Sequence, residues 1–152
     1  MTSTALEHMF VYTDRLQRTQ QELARQQVDA LMVGPSSDLF YLIGTAGHLS
    51  ERLTLLIVPQ VGTPVIVAAG FEVPLLADQR DLAEIRPWDD GENPIELVQQ
   101  AVGDPAGKTF AVSDELYSVF LIRMQDALPG ARWVEGGQVL RPLRMIKDEQ
   151  KI

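Results

Sequence analysis

Leu53-Thr54-Leu55-Leu56-Ile57-Val58 and Pro64-Val65-Ile66-Val67-Ala68-Ala69 flank Pro59-Gln60-Val61-Gly62-Thr63. Both outer runs are rich in aliphatic and β-branched residues. The five residues between them carry a proline and a glycine. Short apolar runs around such a connection read as two antiparallel strands of a hairpin. Working outward, Ala30-Leu31-Met32-Val33 is a shorter apolar run closed by Gly34-Pro35. Its length and the breakers behind it favour a buried strand over a helix.

Before that strand, Thr4 and Glu7 have capping-box spacing. Leu6, Met9, Phe10, Leu16, Leu23 and Ala24 then recur at helical spacing, which predicts a helix ending near Gln27. Its polar middle, Gln17 to Gln21, predicts one exposed face. After the strand, Ser36 caps a short helical turn through Leu39, Phe40 and Tyr41, ending at Gly44. Thr45 to Glu51 has little periodicity and reads as a loop. A helix is expected at 73–79, with Pro74 tolerable only in its first turn. Further on, a strand is expected at 83–88, a turn at 89–94 and a helix at 95–102. A strand at 109–113 and a helix at 116–128 follow, the latter with Leu116, Val119, Phe120 and Met124 on one face. A strand at 132–135 and a helix at 138–144 complete the pattern. Strands separated by helices need crossovers, and the hairpin adds an antiparallel pair. The expected fold is a single α/β domain, a mixed β-sheet flanked by helices.

The chain has 152 residues, enough for one domain with a real core. Its 13 basic and 21 acidic residues give a net charge of −8. So acidic a chain gains nothing from counterion release, which argues against a nucleic-acid partner. The same charge disfavours anionic membranes. There is no cysteine, which removes disulfides, thiolate metal sites and cysteine nucleophiles, and fits a cytoplasmic protein.

The motifs of complete catalytic sites are missing. His8 and His48 sit on different elements without an HxxxH or HExxH partner, and His8 is expected as an exposed helix residue. Gly34-Pro35-Ser36-Ser37 follows a strand, but the proline removes an N–H and no lysine follows, so it is no phosphate loop. There is no GxSxG elbow. Asp89, Asp90 and Glu92 read as a solvated turn rather than a cation site. Ser113-Asp114-Glu115 reads as a helix N-cap followed by acids that suit the positive end of the helix dipole. Asp148 stands where an N-cap belongs, yet only four residues follow it, too few for a helix to persist alone. The expectation is a truncated piece of a longer protein, ahead of a frayed natural tail, with residues 1–147 as its domain and 148–152 as the start of a linking helix.

Two groups of residues carry a resemblance. One runs from Val28-Asp29-Ala30-Leu31-Met32-Val33 through Ser36-Ser37-Asp38-Leu39-Phe40-Tyr41-Leu42-Ile43-Gly44 to Glu51-Arg52-Leu53-Thr54-Leu55-Leu56-Ile57-Val58-Pro59. The other is Leu140-Arg141-Pro142-Leu143-Arg144-Met145-Ile146-Lys147-Asp148-Glu149. The tyrosine-x-x-glycine step, the glutamate-arginine pair before a strand and the closing LR-x-IK-x-x-E resemble the N-terminal domain of the creatinase/prolidase family. Its members include Xaa-Pro dipeptidases, Xaa-Pro aminopeptidases and creatine amidinohydrolases.

The resemblance implies a ribonuclease-H-like domain followed by a larger pita-bread metallohydrolase domain. That second domain supplies two aspartates, one histidine and two glutamates for two divalent metals, often manganese or cobalt. No catalytic or metal-binding residue is then expected in this chain. Its implied role is to dimerise, to close the partner subunit's active site and to limit substrate length. Its implied partners are its own C-terminal catalytic domain, a second copy and a proline-containing peptide. An N-terminal domain of a creatine amidinohydrolase or another aminopeptidase branch, and a non-enzymatic peptide-binding module, remain as alternatives.

Within this frame the loop Thr45 to Glu51 is expected to reach a partner's cleft. His48 would meet a substrate carboxylate or be structural, with neither reading ahead. Arg52 would grip a carboxylate bidentately, or brace its own loop through Glu51 or Asp38, and the bracing role stands ahead. Tyr41 is expected as a half-buried ring with a hydrogen-bonded hydroxyl ahead of a substrate contact, and Asp38 joins His48, Arg52 and Tyr41 as the fourth residue that could contact substrate in trans. Gly44 is expected to need a positive φ or a close backbone approach.

Overall fold

A computed structural model describes residues 3–145. The expected linking helix at 148–152 lies outside them. Helix α1 (Ser3–Gln26) leads into strand β1 (Ala30–Val33) and helix α2 (Ser37–Ile43). The hairpin is β2 (Leu55–Pro59) and β3 (Val65–Ala69). A 3-10 run, Gly70–Asp81, precedes β4 (Glu84–Trp88). Then come α3 (Pro94–Val102), β5 (Thr109–Val112), α4 (Ser118–Ala127), β6 (Arg132–Glu135) and α5 (Gly137–Arg144).

The strands form one six-stranded sheet in the order β4-β3-β2-β1-β5-β6. β1 pairs antiparallel with β2, and β2 with β3, as the hairpin reading requires. β1–β5, β3–β4 and β5–β6 are parallel, joined by helical crossovers. Successive strand residues point to opposite faces. Leu31, Val33, Leu56, Val58, Ile66, Ala68 and Ala111 therefore pack on one side, against Leu16 and Leu23 of α1, Leu39 and Leu42 of α2, and Val139 and Leu140 of α5. Ala30, Met32, Leu55, Ile57, Val65, Val67 and Phe110 pack on the other, against Ile95 and Val98 of α3 and Phe120 and Met124 of α4. Helices cover both faces, so the central strands carry unbroken apolar runs.

Several local expectations are corrected. The helix expected at 73–79 is a longer 3-10 run whose backbone breaks at Leu76 (φ −106°, ψ 18°). Pro74 lies inside this run rather than in a first turn. It has no N–H to donate, which is consistent with the break shortly after it. Helix α4 begins at Ser118, not Leu116, so Ser113 is not its cap. Ser113 Oγ instead accepts from the Gly34 N–H at 3.0 Å and donates to the Glu115 carbonyl at 3.1 Å, stitching the ends of β1 and β5. Val119 is 43% exposed, so it does not share the buried face of Phe120 and Met124. In α1 the helix is already under way at Ser3, so Thr4 is not its cap, and Leu6 and Phe10 lie on the outer face while Arg15, Leu16, Thr19 and Leu23 face the core. No described helix is long and apolar enough to cross a membrane.

Candidate functional site

Ser36 begins α2 as expected. Its Oγ accepts from the Leu39 N–H at 3.2 Å, and Gly44 closes the helix with φ 82° while its N–H reaches the Phe40 carbonyl. A Cβ on Gly44 would stand 2.9 Å from the Tyr12 ring. Both reasons foreseen for that glycine, a left-handed backbone and a close approach, therefore apply. The chain then crosses the irregular segment 45–54 before β2.

Tyr41 is more buried than expected, at 4% exposure. Its hydroxyl donates to the Leu143 carbonyl at 3.3 Å, and its ring faces the Arg15 guanidinium at 4.3 Å and that of Arg144 at 5.5 Å. Asp38 accepts from Arg144 Nη1 at 2.6 Å. Tyr41 and Arg144 line a cleft of about 300 Å³ with His8, Tyr12, Arg15 and Phe40, where α1, α2 and the end of α5 meet, and Asp38 is tied to it through Arg144. Arg15 is the residue here that the sequence reading missed. Its only signal was a cation on the helical stripe shared with Tyr12, Thr19 and Leu23.

Arg52 makes its contacts elsewhere. The expected brace through Glu51 or Asp38 is replaced by one from Asp90, whose carboxylate takes Nη2 at 3.2 and 3.3 Å. Its guanidinium also lies over the Phe71 ring at 4.9 Å. The acidic turn is internally closed, since the Asp89 N–H donates to Glu92 Oε1 at 2.8 Å. His48 is exposed on the loop. The four candidates therefore divide. Asp38 and Tyr41 are tied into the α1–α2–α5 junction, and His48 and Arg52 lie on the accessible loop. Among the described residues no three His, Asp or Glu side chains are grouped so as to hold a metal ion.

The family model for the creatinase/prolidase N-terminal domain matches residues 15–146. The chain is 36% identical over 146 residues to the probable dipeptidase PepE of Mycobacterium tuberculosis, covering 93% of this chain and 38% of that protein. The crystal structure of dipeptidase PepE from Mycobacterium ulcerans superposes with a TM-score of 0.85 at 36% identity, over 92% of this chain and 38% of that one. The N-terminal domain of an X-Pro dipeptidase from Streptococcus pyogenes shares the fold, with a TM-score of 0.72 at 17% identity, over 86% of this chain and 98% of that one. The chain thus spans 38% of the length of the curated relative it matches, and the remainder of that relative lies C-terminal to the matched part.

Proposed function

Because this chain belongs to the creatinase/prolidase N-terminal domain family, we propose that it is the non-catalytic dimerising and active-site-capping part of a metal-dependent Xaa-Pro dipeptidase or aminopeptidase of the cytoplasm. The observation that carries this reading is the match, along nearly the whole chain, to the N-terminal part of a longer protein named a dipeptidase. In that arrangement two divalent metals, manganese or cobalt, would activate water for amide hydrolysis. Among the described residues no group of side chains fits such a pair, so no chemical step is assigned to them.

What the chain contributes is shape and charge at the mouth of a site built by another segment. The loop with His48 and Arg52 follows the α2 cap, and both side chains are accessible. An arginine there suits the carboxylate end of a short peptide, which it can grip by two parallel hydrogen bonds. The burial of Tyr41 and the pairing of Asp38 support scaffold roles for those two.

The test is hydrolysis by a longer protein carrying this chain at its N-terminus, assayed against Xaa-Pro dipeptides, longer Xaa-Pro peptides and creatine. Preferential cleavage of the dipeptides supports the reading. Preference for creatine, or no hydrolysis with either metal, overturns it.

A further inference from the structure

Three segments meet at Arg52: the end of the loop, the start of the 3-10 run and the acidic turn before α3. Each junction has a physical tie. Thr54 Oγ1 donates to Glu72 Oε2 at 2.9 Å, joining the loop to the 3-10 run. A Cβ on Gly70 would stand 2.6 Å from Asp89 Oδ1, so a glycine lets the run and the turn approach each other. The turn is held by the reciprocal bonds between Asp89 and Glu92, and by Asn93, whose side chain caps α3. Two groups on these tied segments address Arg52. Asp90 engages Nη2, and the Phe71 ring lies 4.9 Å from the guanidinium carbon, which sits over its face.

Phe71 is 62% exposed. A phenylalanine so placed gains little from burial, because most of its apolar area stays in water. Its contact with Arg52 is electrostatic and geometric instead, the π-face attracting the cation. Asp90 is 80% exposed, so its pairing with Arg52 is a surface ion pair of small net worth. Such a pair does not lock a long side chain by itself. A ring face against the guanidinium carbon removes rotamers without using any of the group's five N–H donors.

We propose that Phe71 is a positioning residue, which orients Arg52 to receive the terminal carboxylate of a peptide bound in the active site that this chain caps. This rests on the capping role proposed above. The carboxylate would take the guanidinium edge that Asp90 holds in its absence, or the one beside it. Phe71 would hold the guanidinium over its ring through that exchange.

The experiment uses an active dipeptidase carrying this chain as its N-terminal part. Its steady-state kinetics are measured with a dipeptide and with the same dipeptide amidated at its C-terminus. Arg52→Ala, Phe71→Ala, Phe71→Tyr and the Arg52→Ala/Phe71→Ala pair are compared. Phe71→Ala is expected to raise KM for the free-carboxylate dipeptide about two- to fivefold, the worth of an exposed cation–π contact, with kcat unchanged. Phe71→Tyr keeps the π-face and should stay close to the parent. The double variant should be no worse than Arg52→Ala alone, because one residue acts through the other. The amidated dipeptide should respond to none of these changes.

If Arg52→Ala leaves KM unaltered for both substrates, the capping role of this loop fails, and this proposal with it. If Arg52→Ala raises KM but Phe71→Ala does not, the loop's role stands and the assignment of Phe71 is wrong. If Phe71→Ala impairs both substrates equally, its role is structural and the assignment is again wrong.

Discussion

The Arg15 guanidinium lies 4.3 Å from the centroid of the Tyr41 ring, and its Nη1 donates to the Tyr41 carbonyl at 2.9 Å. Arg15 is on α1 and Tyr41 on α2, and the Tyr41 hydroxyl reaches Leu143 on α5. One buried arginine and one buried tyrosine therefore pin three helices on the same face of the sheet. Arg15→Ala would leave the carbonyl without this donor and remove the cation from the ring. A loss of about 2–3 kcal/mol of stability is expected in urea unfolding. Arg15→Lys should recover only part of it, since an ammonium lacks the planar fork.

The loop substitutions should behave in the opposite way. His48 is exposed, so His48→Ala should change the unfolding free energy by less than about 0.5 kcal/mol. Arg52→Ala loses a surface ion pair and a ring contact, and about 1 kcal/mol or less is expected. Both should raise KM in a dipeptidase that carries the chain. A large fall in melting temperature for His48→Ala would make that residue structural.

Gly44→Ala forces an L-residue to φ 82° and places its methyl against Tyr12. The left-handed conformation alone costs roughly 1–2 kcal/mol. The Tyr12 contact adds to that unless the ring shifts, so thermal melting should show a clear destabilisation. A melting curve identical to the parent would mean that the turn relaxes freely.

The chain alone, freed of contaminating peptidases, should not hydrolyse Xaa-Pro dipeptides in the presence of manganese or cobalt. Activity that co-purifies with it and responds to Asp38→Asn or His48→Ala would place catalysis in this chain.

The sheet was readable because its signal is local. Leu31, Val33, Leu56 and Val58 face one way and Met32, Leu55 and Ile57 the other, and both groups are apolar because helices cover both faces. The start of α4 was misread because Ser113 has two uses for its hydroxyl, and the tertiary one to Gly34 won over capping. The outer face of α1 was misread because Leu6 and Phe10 share the period of core residues without facing the core. For the site, the tyrosine-glycine step and the loop were visible in order and spacing. The partners of Arg52 and Asp38 were not, since Asp90 and Arg144 reach them from 38 and 106 residues away.

The parallel pairing of β1 with β5 has a kinetic consequence. Thr109 donates its N–H to the Asp29 carboxylate across 80 residues of chain, where β1 and β5 begin. The hairpin β2–β3 closes over a handful of residues and can form early, with β1 adding to it through the connection 34–54 that carries α2. The other half of the sheet must wait for a long loop to close, at an entropic cost that local contacts do not offset. As the chain emerges from synthesis, β1 therefore has one bonded edge and one bare edge until residue 112 is available. Any slowing of elongation between α3 and β5 would prolong the interval in which Ala30–Val33 can join a foreign strand.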